Sequence, residues 1–253
     1  MPMNVSVALC TYNGSPYLSQ QIDSILSQTC TPDEVIVFDD QSNDNTIDIL
    51  YKYEDEFPNL FNIHQNSYNI GPNKNFERCI RHCSGDVIAI CDQDDVWAPT
   101  KLEKQVGAIK EQPEPLIYHN SIVTSERLER RTTLWDSLNP VYSENNQDQI
   151  EKVRQLVRRN YVQGATILFD TSLKDKFLPI PQNWNYDYWI AVITAISTGI
   201  YGLNEPLLLY RQHQNQVVGS KNNTFLIVFT IVFPLPMINI SKKEIGGQGY
   251  TSI

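Results

Sequence analysis

The sequence predicts an α/β fold, with a mostly parallel central sheet flanked by helices. Three observations carry this. Segments of strand and helix character alternate through the first half of the chain. Two strand segments, Glu34–Phe38 and Asp86–Cys91, are apolar throughout after their first residue, as strands covered on both faces are. The strand candidates also end in polar stretches, CTYN, FDDQSND and CDQDDVW, at the edge where open sheets of this class bind ligands.

Each element has its own justification. Val5–Ser6–Val7–Ala8 begins the first strand, which closes in Thr11–Tyr12–Asn13–Gly14 without the glycine fingerprint of a dinucleotide-binding turn. Leu18, Ile22, Ile25 and Leu26 then form one apolar stripe at helical spacing, with Ser15 and Pro16 suited to the first positions. After Glu34–Phe38 comes a helix through Ile47, Leu50, Tyr51 and Glu54. A strand at Phe61–Ile63, a helix through Phe76, Cys79, Ile80 and Cys83, and the strand Asp86–Cys91 follow. The second half is less regular. It offers a helix through Leu102, Val106 and Ile109, a strand at Leu116–Val123, a helix through Ile150, Val153 and Val157, and a strand from Gly164 to Phe169 ending in Asp170. A helix beginning at Tyr186–Trp189 and a last strand in GLNEPLLLYRQH complete the pattern.

A chain of 253 residues can bury one substantial core, so the expected organisation is a catalytic-sized domain over 1–220 followed by a tail over 221–253. The net charge of −9 and pI near 4.9 argue against nucleic acid as a partner, because binding it needs a basic surface. Five cysteines, an odd number without paired CxxC spacing, suggest buried thiols rather than disulfides or zinc. The opening residues lack a basic start followed by an apolar block, so a cytoplasmic location is expected. Between Thr224 and Ile240 an apolar run, broken by Pro234 and Pro236, is too short and interrupted for a membrane span. Peripheral membrane contact, an oligomer surface and buried packing are all open readings of it. The remaining polar residues to Ile253 suggest disorder.

Asp92–Gln93–Asp94–Asp95 is the most informative stretch. Three carboxylates in four residues repel one another, and a divalent cation with oxygen preference makes them compatible. Extended chain lets Asp92 and Asp94 point the same way; the alternative is an acidic turn with Asp95 capping the next helix. In Phe38–Asp39–Asp40–Gln41–Ser42–Asn43–Asp44, one of the last three residues can cap the following helix. That leaves Asp39 and Asp40 free to accept from a base or ribose. Asp187, between Tyr186 and Tyr188, is either a helix N-cap or an acid with chemistry to do, and it is the only acid between Asp175 and Glu205. His64, His82 and His119 belong to no constellation and are expected to be structural.

The ordered blocks VSVALCTYNG, DEVIVFDDQSNDNT, NIGPNKNFERCI, GDVIAICDQDDVW and YDYW…LYRQH resemble the family 2 inverting glycosyltransferases of GT-A fold, over about Val5 to Gly219. Within the family, DQDDVW and YRQH are most similar to bacterial rhamnosyltransferase-type enzymes of surface-polysaccharide assembly. The resemblance implies a Rossmann-like sheet with a less regular acceptor-binding second half. It also implies a nucleoside diphosphate sugar donor, UDP- or dTDP-linked, a glycan or lipid-linked acceptor, and Mn²⁺ or Mg²⁺. By the same resemblance Thr11, Tyr12 and Asn13 form the first nucleotide loop, and Asp40, with Asp39 beside it, meets the pyrimidine or its ribose. Asn69, Gly71, Lys74 and Asn75 line the donor pocket. Asp92 and Gln93 lie by the donor ribose and sugar, Asp94 ligates the metal with His213 completing its shell or steadying the diphosphate, and Asp187 is the catalytic base. A sugar-nucleotide nucleotidyltransferase would share the sheet and acidic site but open with a glycine- and arginine-rich phosphate loop. A non-catalytic nucleotide- or carbohydrate-binding module would not need both Asp94 and Asp187.

Overall fold

The computed structural model describes residues 3–138 and 149–214, so the apolar segment 225–240 and the expected boundary near 220 lie outside the described residues. The alternation read from sequence is present in order: β1 (Val5–Thr11), α1 (Leu18–Leu26), β2 (Glu34–Asp39), α2 (Thr46–Glu56), β3 (Phe61–Gln65), α3 (Pro72–His82) and β4 (Val87–Cys91). There follow β5 (Val96–Trp97), α4 (Lys101–Glu111), β6 (Leu116–Thr124), β7 (Arg130–Thr133), α5 (Leu134–Leu138) and α6 (Gln149–Arg158). The chain then runs through β8 (Leu168–Asp170), α7 (Lys174–Phe177), α8 (Tyr186–Ser197) and β9 (Tyr201–Arg211). The sheet order is β3-β2-β1-β4-β8-β6-β9-β5, with β7 on β6.

The strands β3, β2, β1 and β4 are parallel, as the alternation predicts. Side chains that alternate along them feed two separate cores. Val5, Val7, Leu9, Val35, Val37, Val87, Ala89 and Cys91 pack with α1, α2 and α4. Ala8, Cys10, Ile36, Phe38, Ile88 and Ile90 pack on the other face with α3, α6 and α8. Burial on both faces is why β2 and β4 read as unbroken apolar runs.

In the second half β6 and β9 pair in parallel, while β8 runs antiparallel to both β4 and β6. The expected strand from Gly164 is shorter than its apolar pattern suggests. Gly164–Thr166 is a 3-10 turn and only Leu168–Asp170 is strand. Within β9, Pro206 has no N–H to give to a ladder, and there the register with β6 jumps from His119↔Leu203 to Asn120↔Pro206. All five cysteines are free thiols; Cys30 is half-buried, a departure from the expectation that all are interior.

Candidate active site

Two acidic loops leave the carboxyl ends of the parallel strands, and they are built differently. In the first, the carboxylate of Asp39 accepts from Thr11 Oγ1 at 2.9 Å, from the Ser42 N–H at 2.9 Å, from the Ser42 hydroxyl and from Gln65 Nε2. Asp40 accepts from Asn66 Nδ2 at 2.8 Å and from the N–H groups of Ile70 and Gly71 at 2.9 Å each, and Asn69 donates to its carbonyl. Both oxygens of Asp40 are thus turned onto the protein rather than left open for a base. The carboxylate fixes the turn at Asn69–Gly71, where Gly71, at φ 82°, precedes Pro72 at the start of α3. Asn75 is buried in the same web, donating to Phe38 O and accepting from Asn66. Asn13, at φ 50°, ties in the opening turn through Ser42 and the Asn43 N–H. Lys74 pairs with Glu77 at 3.0 Å. The cap expected at Ser42, Asn43 or Asp44 falls instead to Asn45, whose side chain makes no capping hydrogen bond; Asp44, one residue earlier, accepts the Thr46 N–H at 3.0 Å.

The second loop follows β4 and is crowded with charge. Gln93 exchanges hydrogen bonds with the backbone of Tyr12, 2.8 Å and 2.9 Å, and so ties this loop to the opening turn after β1. Asp92 accepts from the Tyr186 hydroxyl at 3.0 Å. Burial, then repulsion by Asp94 and by Asp187, pushes its carboxyl up to about 7. Asp94 Oδ2 lies 2.8 Å from His213 Nε2, so the two predicted metal ligands meet. Asp95 does not cap α4, whose N-cap is Thr100. It is buried, accepts the Arg211 N–H at 3.1 Å, and keeps Oδ2 without a hydrogen-bond partner among the described residues. Burial, then Asp94 and Asp92, raises its carboxyl well above the ordinary range.

Arg211 organises this loop from the far end of the chain. Its guanidinium donates to Asp94 O, Glu126 O and Gln20 Oε1 and covers the Tyr17 ring, which itself lies against His213. The motif Tyr210–Arg211–Gln212–His213 marked this region in the sequence, but only the folded contacts identify Arg211 as the hub. Lys101, wholly buried with Nζ 3.5 Å from the Trp97 ring centroid, is another cation that spacing did not single out, and burial pulls it down to about 7.

Asp187 is not the helix cap. That position belongs to Asn185, and Asp187 is the second residue of α8, where a helix N-terminus favours an anion. Its carboxylate accepts from the Tyr188 N–H at 2.6 Å and lies 3.5 Å from Asn160 Nδ2. Burial raises it to about 6 against these hydrogen bonds and one from the Gly164 N–H. A carboxyl at that value is ionised at neutral pH yet basic enough to take a proton. Among the described residues no group of three or more His, Cys, Asp or Glu is arranged to hold a metal ion. Asp94 and His213 instead give an oxygen and a nitrogen donor side by side, amid a carboxylate surplus that suits a divalent cation. No helix among the described residues is long and apolar enough to cross a membrane.

Residues 6–177 match Glycosyl transferase family 2. An uncharacterised protein of Mycobacterium tuberculosis is 28% identical over 219 residues, covering 85% of this chain, and the chain spans 61% of that relative's length. The dTDP-rhamnosyl transferase RfbG of Shigella flexneri is 25% identical over 230 residues, covering 84% of this chain and 74% of its own. Among solved structures, TarS of S. aureus in complex with UDP-GlcNAc superposes with a TM-score of 0.67 at 21% identity, over 85% of this chain and 60% of that one. At that identity the likeness establishes the GT-A fold.

Proposed function

The chain belongs to glycosyl transferase family 2, and from that premise we propose that it is an inverting, divalent-metal-dependent glycosyltransferase. It moves a sugar from a UDP- or dTDP-linked donor to a hydroxyl of a glycan or lipid-linked acceptor in cell-surface polysaccharide synthesis, on the cytoplasmic side. The observation that carries this reading is convergence. Asp92, the Asp94–His213 pair and Asp187 come from distant parts of the chain, and Asp92 lies close enough to both Asp94 and Asp187 for their charges to raise its carboxyl. The names of RfbG and of the TarS complex support the donor class.

In this mechanism Asp187 takes the proton of the acceptor hydroxyl as that oxygen bonds to the anomeric carbon. The bond from that carbon to the diphosphate oxygen breaks, its electron pair leaves with the nucleoside diphosphate, and configuration inverts. Asp94 and His213 would hold the cation, which supplies positive charge to the departing diphosphate. Asp40, through the Asn69–Gly71 turn, and Gln93, through Tyr12, shape the nucleotide pocket from behind. Tyr12 is 43% exposed and available to a base.

A panel of nucleoside diphosphates and sugar nucleotides, with and without Mn²⁺, tests the reading by thermal shift, since a ligand of the native state raises apparent stability. One donor is expected to stabilise only with metal, and to release its nucleoside diphosphate. Absence of both responses across the panel would overturn it.

A further inference from the structure

Tyr186 belongs to neither acidic loop, yet it touches both sides of the proposed reaction centre. Its hydroxyl donates to Asp92 Oδ1 at 3.0 Å, and Asp187 is the next residue in the chain. Its ring is stacked on Phe76 of α3, centroids 3.9 Å apart and planes at 24°. Its N–H donates to Asn73 Oδ1 at 3.1 Å, and the Asn73 amide in turn donates to the carbonyls of Pro181, Gln182 and Trp184. The phenol therefore has almost no freedom to turn or withdraw.

Gly164 adds the second half of the observation. A Cβ there would lie 2.1 Å from the Tyr186 hydroxyl oxygen and 2.7 Å from Cζ, so only glycine admits the phenol. The N–H of this same glycine donates to Asp187. Gly164 is thus a common wall for the hydroxyl on Asp92 and the carboxylate of Asp187.

We propose that Tyr186 is a positioning residue that holds Asp92 and Asp187 at a fixed separation and fills with its hydroxyl the space a water molecule would take beside Asp92. This rests on the glycosyltransferase reading and adds to it a device that protects the donor. A water near the base would attack the anomeric carbon in place of the acceptor. Its oxygen would bond to that carbon as Asp187 took its proton, the carbon–diphosphate bond would break with the electron pair leaving on the diphosphate, and free sugar would be the product. The hydroxyl of Tyr186, already spent on Asp92, denies that water its place.

Tyr186→Phe is the test, because it keeps the ring stack and the Asn73 contact and removes one oxygen. A buried site with polar partners and room for one water tends to take one. Transfer to the acceptor is expected to fall about ten- to a hundredfold, the scale of a small misplacement at a reacting centre. Donor hydrolysis without acceptor should be retained or increased, so that the hydrolysis-to-transfer ratio rises at least several-fold. Nucleoside diphosphate affinity should stay close to wild type, and the variant should remain folded. An unchanged ratio overturns the proposal, as does a proportionate loss of both reactions. Gly164→Ala, which displaces the phenol from the other side, should raise the ratio in the same direction, and failure to do so counts equally against it. If the wild-type protein turns over no donor, it is the glycosyltransferase reading that fails. Tyr186 would then be judged by a double-mutant cycle with Asp92→Ala, where additive changes in melting temperature would refute the contact.

Discussion

The Asp39–Asp40 loop and the cluster of Asp92, Asp94, Asp95 and Asp187 are both acidic, both lie at the carboxyl edge of one sheet, and differ in what satisfies their charge. Asp39 and Asp40 are ringed by N–H, amide and hydroxyl donors. In the second cluster burial and mutual repulsion outweigh the donors, and the carboxyls of Asp92, Asp95 and Asp187 are all raised. Tyr210 feels the same field: burial first, and then all four of these acids, raise its phenol. The first loop is complete as folded. The second is left under-compensated, and in the mechanism proposed above a cation on one side and a proton from an acceptor on the other complete it. Stability given up in a site of this kind is a recurrent cost of function.

The comparison breaks most visibly at Asp187. If this carboxylate takes the acceptor proton, Asp187→Asn lowers transfer by about 10²–10⁴-fold, the usual contribution of a positioned base, and leaves donor affinity intact. Transfer and calorimetric binding measured on one preparation decide it, and wild-type turnover removes Asp187 from the mechanism. Next in size is Asp94→Ala. Outer-shell partners alone change metal affinity by about 10–100-fold, so losing a direct ligand should weaken Mn²⁺-dependent nucleoside diphosphate binding by at least that much. Equal affinity with and without Mn²⁺ in wild type, or no change in the variant, would mean that the cation is not held there.

The place of the two acidic loops was legible in the sequence, because the unbroken apolar runs of β2 and β4 put both at strand ends. How each is satisfied was not, since Asp39 and Asp40 read as free for a base or ribose and are instead held by the protein's own donors. What periodicity could not supply was the destination of each side chain. That Asp40 clamps the turn before α3 depends on where residues 69–71 return. That Arg211 governs the Asp94 backbone depends on β9 reaching Gln20 across most of the chain. The two-residue β5 and the exposed β7 are too short or too polar to leave a pattern, and the glycine of Gly164 has meaning only beside Tyr186.

A quieter substitution probes the complete loop. Asp40→Asn keeps one acceptor oxygen but sets an amide against the N–H groups of Ile70 or Gly71, and hydrogen bonds to a charged group contribute about 1.5–3 kcal/mol. A loss of that order in denaturant unfolding is expected at neutral pH. Unchanged stability would mean that the carboxylate is not what fixes the turn.

The smallest effect is the most discriminating, because its sign is opposite. Burial raises the Asp187 carboxyl from an ordinary 3.8 to about 6 in the folded chain. Between those values the folded protein keeps a proton that the unfolded chain has released, so stability falls as pH rises through this window and remains lower above it. The full shift corresponds to about 3 kcal/mol. Because the side chain is only half-buried, about 1–2 kcal/mol is the reasonable expectation. Asparagine carries no proton to lose and still accepts one hydrogen bond, so Asp187→Asn should be more stable than wild type at pH 7 and nearly equal to it at pH 4. It also relieves Asp92 of one repelling neighbour, which acts in the same direction. The difference between the two unfolding curves across that pH range reports Asp187 together with its effect on Asp92. A variant that is less stable at pH 7, as Asp40→Asn is expected to be, would place Asp187 with the satisfied carboxylates and erase the distinction between the two loops.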